Sequence, residues 1–229
     1  MAGGGTPPEG AGRRVSITKV WTLGTQQDRD YALHLIAQDG DVERVDLIDK
    51  SIDIGRKPIP RTGAMTSGRR VATEHLPTKV KRTLGRADEA GGNRLNDVES
   101  AHLSFIVTDR FKDVVEDLCG VGTHQFEPVE VVNALKGEDR HRWWFVPAVR
   151  LHALDPDKVD PPLNDLGYYP HTAGPFDATI TFRSEVVDDH HIFCTAEYRH
   201  LIFVSDAFRA SCESAGITGA DFDPPFPVE

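Results

Sequence analysis

Four residues come nearest to a chemical constellation: His190, His191, Cys194 and His200. Imidazole and thiolate are zinc ligands, and a site needs three or four of them converging at about 2.0–2.3 Å. The spacing works against this. Adjacent His190 and His191 would point to opposite faces of a strand. His191 and Cys194 are three apart, which suits a helix, in a segment that reads as loop and strand. A metal-dependent hydrolase using His190, His191 and Cys194 is therefore kept as an alternative, and no metal or cofactor is expected. No GxSxG, HExxH, Walker or GxGxxG motif occurs. GVGTHQ (120–125) ends a helix instead of opening one, so it does not fit a phosphate cradle. With no nucleophile–base pair in view, no catalytic residue is assigned, and binding without turnover is the expectation.

The charge is uneven. Residues 1–100 hold 16 Lys/Arg against 14 Asp/Glu, and residues 101–229 hold 10 against 22, within a net charge of −10. An acidic half repels nucleic acid and attracts basic proteins, although it also serves solubility alone. Residues 56–94 are the basic exception, with ten basic and three acidic residues. No aromatic is interleaved there, so the stacking half of a single-strand binding surface is missing and nucleic-acid binding is not favoured. Cys119, Cys194 and Cys212 are too few and too scattered for a disulfide framework, which favours a reducing compartment. No apolar run is long enough for a membrane span, and the N-terminus lacks the apolar core of a signal peptide. These features point to the cytoplasm.

The elements that must position any site read as α+β. Residues 1–14 form a Gly/Pro-rich, disordered lead. An antiparallel β-rich N-terminal region follows over 15–97, with a first strand at 15–23. A strand over 30–37 has 42–48 as its hairpin partner across Asp39-Gly40. The basic stretch 56–94 reads as irregular, with one short strand near 70–73. Residues 129–135 and the apolar, aromatic segment 142–155 suit a strand pair around a turn at 136–141. Residues 178–187 alternate as a strand, with a turn at 188–190.

The strongest pattern is a duplication. FIVTDRFKDVVEDLCGVGTHQFEPVEV (105–131) is repeated as IFVSDAFRASCESAGITGADFDPPFPV (202–228). Val107-Thr108-Asp109 matches Val204-Ser205-Asp206, and Phe111-Lys112 matches Phe208-Arg209. After a slip of one residue, Gly120 matches Gly216 and Phe126 matches Phe222. Each match has a structural reason. Thr108 or Asp109, and Ser205 or Asp206, can cap a helix. Phe111, Val114, Val115 and Leu118 share one helix face, as do Phe208, Cys212 and Ala215. Gly120 and Gly216 suit a left-handed C-terminal cap, and Pro128 or Pro224 marks the edge of the following strand. The expected core is Phe105, Val107, Phe111, Val115, Leu118, Phe126, Trp143, Phe203, Phe208 and Phe222. Residues 98–229 thus make one α+β domain of two related strand–helix–strand units (105–128 and 202–224) packed together.

These segments carry a resemblance. FIVTDRFKDVVEDL, HQFEPVEV (124–131), RWWFVPAVRLHALDP (142–156) and LIFVSDAFRASCESAGITGADFDP (201–224) are similar to the immunity-protein-11 family of bacterial polymorphic toxin systems, formerly a domain of unknown function. The likeness covers about 98–225, and its motifs are structural. It implies a cytosolic, non-enzymatic antitoxin that binds and occludes a cognate protein toxin, often a nuclease, and it carries over no catalytic residue. A nuclease presents a basic cleft, which an acidic protein can fill. The candidate contacts are Asp113, Glu116 and Asp117 on the first helix, Glu138 and Asp139 in one turn, and Asp188 and Asp189 in another. Each could equally be a solvated face. A binding module of another system is the remaining alternative.

Overall fold

The computed structural model describes residues 16–25, 35–48, 61–82, 94–101, 104–165, 167–169, 179–198, 201–223 and 225–229. The described strands are β1 (Lys19–Thr25), β2 (Leu35–Ala37), β3 (Lys79–Arg82), β4 (Val98–Ala101), β5 (Ser104–Val107), β6 (Gln125–Val131), β7 (His141–Val146), β8 (Arg150–Leu151), β9 (Ile192–Thr195), β10 (Phe203–Ser205), β11 (Ala220–Phe222) and β12 (Phe226–Pro227). The helices are α1 (Asp109–Cys119), α2 (Ser184–Val187) and α3 (Asp206–Ala215). The fold is mixed α+β. One sheet runs β2-β3-β6-β7-β5-β4, and the other runs β11-β1-β10-β9-β8 with β12 also on β1.

The duplication extends beyond the repeated segments. In the first sheet β5 leads into α1, α1 into β6, and β7 lies between β5 and β6. In the second, β10 leads into α3, α3 into β11, and β1 lies between β10 and β11. The registers coincide. Val107 faces Trp143 as Val204 faces Trp21, and Phe126 faces Phe145 as Phe222 faces Leu23. The outer strands agree as well, with Val98 on Val107 and Ile192 on Val204. Each unit is therefore four antiparallel strands and a helix. Its second strand follows the helix in the first unit but comes from the start of the chain in the second.

Local chemistry makes both helices alike. Thr108 and Ser205 are the N-caps, accepting from the Phe111 and Phe208 N–H groups at 3.4 and 3.1 Å. Each supplies a partner for a backbone donor that the first helical turn leaves unmatched. The buried faces then meet, with the Phe111 and Phe208 rings 5.9 Å apart and nearly perpendicular. Phe111 also packs edge-on against Phe145 at 5.5 Å. Of the expected core, Val107, Phe111, Val115, Phe203 and Phe208 are buried. Phe105, Leu118, Phe126, Trp143 and Phe222 are half-buried and pack against the core shared by the two helices. The fully buried tryptophan is Trp144, whose indole N–H donates to the Pro77 carbonyl.

Several expectations are corrected. Residues 42–48 are not a hairpin partner: Val42–Arg44 is a 3-10 turn and Leu47 makes a single bridge to Val71. Instead β2 pairs with β3. The Asp39 carboxylate accepts from both the Thr78 and Lys79 N–H groups at 2.9 Å, which fastens the end of β2 to the start of β3. The basic stretch is thus less irregular than expected, with a 3-10 segment at Arg61–Thr66 and a strand at Lys79–Arg82. β1 pairs with β10, β11 and β12, so residues 15–97 do not form a sheet of their own. The strand expected over 178–187 reduces to bridges at Thr179 and Phe182 followed by α2. The C-terminal residues take up its hydrogen bonds, since the Phe182 and Ser184 N–H groups donate to Pro227 and Glu229. The strand expected over 129–135 ends at Val131. Gly216 is left-handed at φ 64°, ψ 35°, whereas Gly120, at φ 86° and ψ 143°, is not. Pro128 lies in an inner strand, but short of the β3 ladder at Glu130 and Val131, so its missing N–H leaves no gap. The lead 1–14, residues 30–34, 56–60 and 83–93, His200 and Pro224 lie outside the described residues.

Candidate functional site

Two related units packed helix to helix create two equivalent joints, where the turn after one helix approaches the start of the other unit's outer strand. The structure closes one joint and leaves the other open.

The closed joint is built on Asp97, just before β4. Its carboxylate accepts from the Thr108 hydroxyl at 2.9 Å, from the Thr218 N–H and hydroxyl at 2.8 Å each, and from Arg110. Arg110 also donates to the Gly216 carbonyl at 3.1 Å, so its guanidinium ties the first helix to the turn after the second. Burial alone would raise the Asp97 pKa. The hydrogen bonds from Arg110, Thr218 and Thr108 outweigh it and hold the carboxyl down at about 2. The approach is so close that a Cβ on Gly219, at φ 81°, would collide with the Val98 carbonyl and Asn96.

At the other joint the cap hydroxyl is kept, as Ser205, and four other residues are exchanged. The registers put His191 where Asp97 stands, Ala207 for Arg110, Gly122 for Thr218 and Thr123 for Gly219. The backbone match is preserved: the Ser205 N–H donates to the His191 carbonyl as the Thr108 N–H donates to that of Asp97. His191 Nδ1 lies 2.9 Å from the Ser205 cap hydroxyl, which repeats the Asp97–Thr108 contact. The arginine and the threonine of the first joint have no counterpart here, and a cleft of about 300 Å³ lies beside His191. Leu118, Cys119, Thr123 and His124 line it from the first unit. Val149, Asp189, His190, His191 and Ile192 line it from the second sheet.

His124 is the unusual member. It is 4 % exposed, and its Nδ1 accepts from the Ala148 N–H at 3.1 Å. The ring proton therefore sits on Nε2, and that nitrogen has no hydrogen-bond partner among the described residues. Burial, with the Arg70 and His190 charges, pushes its pKa down to about 4, so the ring is neutral at physiological pH. The turn beside it is braced. The Thr123 hydroxyl donates to Cys119 at 2.6 Å, and Arg70 donates to the Gly122 carbonyl. At the tip of this turn Val121 is 85 % exposed.

The expected contact acids fall into three settings. Asp113, Glu116 and Asp117 lie on the outer face of α1, with Asp113 and Asp117 exposed and Glu116 half-buried, 4.0 Å from Lys112. Asp139 is exposed and accepts from the His141 N–H. Asp189 is exposed at φ 68° and lines the open cleft. Glu138 was expected at the surface, yet its side chain is 3 % exposed and pairs at 3.0 Å with Arg82, itself fully buried. It also accepts from the Leu95 and Leu135 N–H groups, so it closes the first sheet's interior and does not face a partner. Asp188 is half-buried and accepts from the Ile17 N–H, which anchors the start of the chain.

Of the histidine–cysteine group His200 lies outside the described residues, and the other three do not converge. Cys194 is buried in β9 and its thiol is pushed up to about 12 by burial. His191 is engaged with Ser205 instead. Among the described residues no group of three or more His, Cys, Asp or Glu side chains is placed to hold a metal. Cys119 lines the cleft, but burial raises its thiol to about 11, which leaves it a poor nucleophile. No described helix is long and apolar enough to cross a membrane.

Sequence reasoning missed the Asp97 joint, His124 and Val121. One signal was available: the mismatches between the two copies, above all Arg110 against Ala207. A comparison with family models matches residues 41–225 to the immunity protein family Imm11. The chain belongs to that family, which gives it an immunity role and a toxin as its partner. No curated protein matches it.

Proposed function

We propose, on the premise of that membership, that the protein binds the toxin encoded beside it and neutralises it by occlusion, without turnover. The toxin is a nuclease with a basic active-site cleft, and the encounter takes place in the cytoplasm. The observation that carries this reading is the outer face of α1. Asp113, Glu116 and Asp117 recur there at helical spacing, with Asp113 and Asp117 exposed and Glu116 beside Lys112. The matching positions of α3 are Ala210, Glu213 and Ser214. A net charge of −10 adds long-range attraction to a basic partner. Charges at the rim of an interface act mainly on association rate and partner choice.

Co-expression is the test. The neighbouring toxin domain should kill cells alone and be tolerated with this chain. The purified pair should form a complex whose association rate falls with salt. Nuclease activity of the toxin should disappear on complex formation. A toxin that stays lethal beside this chain would end the immunity reading. A neutralised toxin that leaves nucleic acid intact would end the nuclease part alone.

A further inference from the structure

We propose that the toxin is held at the turn between α1 and β6, with Val121 entering an apolar depression on the toxin and the acids of α1 facing basic residues at its edge. This rests on the immunity reading and specifies where and by what contact the toxin is held.

The duplication supplies a reference for this turn. In the second unit the turn after α3 folds back on its helix. Gly216 is left-handed, its N–H donates to the Glu213 carbonyl at 3.1 Å, and the Ile217 N–H donates to that of Cys212 at 3.0 Å. This pair of bonds brings the residue after the glycine back onto the apolar face of the helix. Ile217 accordingly packs, half-buried, against the core that the two helices share. Val121 is the matching residue of the first unit. There Gly120 lies at φ 86°, ψ 143°, so the chain leaves the helix in another direction and Val121 is 85 % exposed. The turn is nonetheless fixed. The Thr123 hydroxyl and N–H donate to the Cys119 and Gly120 carbonyls at 2.6 and 3.2 Å, and Arg70 donates to the Gly122 carbonyl. An apolar side chain already held in one place loses little freedom when a partner covers it, which favours binding.

Val121 does not stand alone. It and Ile48, at 64 %, are the most exposed large apolar side chains among the described residues. Arg70 links them, since its carbonyl accepts from the Ile48 N–H at 3.1 Å. The exposed acids Asp113 and Asp117 lie on α1, with Asp117 in its last turn, just before Val121. An apolar centre with charge along its border is the layout of a protein interface. The sign of that charge selects the occupant. The acids attract a basic toxin and repel a second copy of a chain whose net charge is −10.

The probe is the toxin domain encoded beside this chain, inactivated by a substitution in its own active site. Its association and dissociation rates with the full chain are measured by surface plasmon resonance. Val121→Asp should raise Kd about 100-fold and Val121→Ala about 10-fold, both through faster dissociation. Asp117→Asn should act on the association rate instead and reduce its salt dependence. All three should keep the thermal midpoint within about 2 °C of the parent, because the residues are exposed. Ala210→Asp, on the exposed face of α3, adds the same charge elsewhere and should change Kd less than about 3-fold. Should Val121→Asp disturb the turn, Val121→Ala decides. Folded Val121 variants that bind as the parent does would overturn the contact and leave the immunity reading standing. A parent chain that dimerises until Val121→Asp separates it, with an unchanged Kd for the toxin, would assign the surface to a second copy and overturn the contact as well. A parent chain that neither binds nor protects against the toxin would overturn both.

Discussion

The two joints between the repeated units share a backbone and differ in every side chain that matters. One is closed by Asp97, Arg110 and Thr218; the other has His191, Ala207 and Gly122 at the matching positions, and His191 lines a cleft beside them. Where the copies agree, in caps, facing phenylalanines and strand register, the residues serve the fold. Where they disagree, one side has been freed from a structural duty. A duplicated fold thus contains its own control: the closed joint shows what the open one would look like if stability were its only task.

The largest test of the comparison concerns what the copies share. Phe111→Ala and Phe208→Ala should each cost about 3–5 kcal/mol, because each empties a fully buried site. The rings touch, so the double variant should cost less than the sum of the singles. Denaturant unfolding of all four proteins measures this. Additive costs would mean that the two helices do not share one core.

The next effect separates the joints. Asp97 has a depressed folded-state pKa, at about 2 against 3.8. Its contribution is therefore fully present above about pH 4 and is lost as pH falls through 2. The shift corresponds to about 2 kcal/mol. Asp97→Asn should remove that amount at pH 7 and only a small part of it at pH 2. His191→Asn, at the matching position, should cost less than about 1 kcal/mol, the worth of one neutral hydrogen bond. Equal costs at the two positions would mean that the open joint is as structural as the closed one.

Gly219→Ala should cost about 1–3 kcal/mol, since the residue has positive φ and the closed joint leaves no room for a Cβ. Thr123→Ala, its counterpart, loses only the hydroxyl bond to Cys119 and should cost about 1 kcal/mol. Thermal unfolding of the pair is sufficient to check this ordering.

Much of this was legible in the chain, for definable reasons. The strand–helix–strand units announce themselves because capping and apolar periodicity are local: Thr108, Ser205, Phe111 and Phe208 could be assigned from their neighbours. The second strand of the second unit could not. β1 lies more than 170 residues from β10, and nothing local marks Trp21 as the counterpart of Trp143. Glu138 failed for a related reason. A turn acid is usually solvated, and only the fold reveals that the buried Arg82 lies beneath it. The cleft was hidden because its lining comes from separate stretches of the chain, within 118–124, at 149 and over 189–192, which only the fold brings together.

The smallest effect asks whether the matched units are also energetically matched. Lys112 lies over the Trp143 ring at 4.1 Å, and Arg209 over Trp21 at 4.0 Å. Neither the cations nor the indoles are adjacent in the chain, yet the duplication reproduces the pair with one indole from near the start of the chain and the other from its middle. Each contact should be worth about 0.5–1 kcal/mol. Lys112→Met and Arg209→Met keep the aliphatic stem, so they isolate the charge. Combined with Trp143→Leu and Trp21→Leu in two double-mutant cycles, they should return similar coupling energies. Coupling in one pair and none in the other would show that the second unit, completed by a strand from the chain's start, is held together differently from the first.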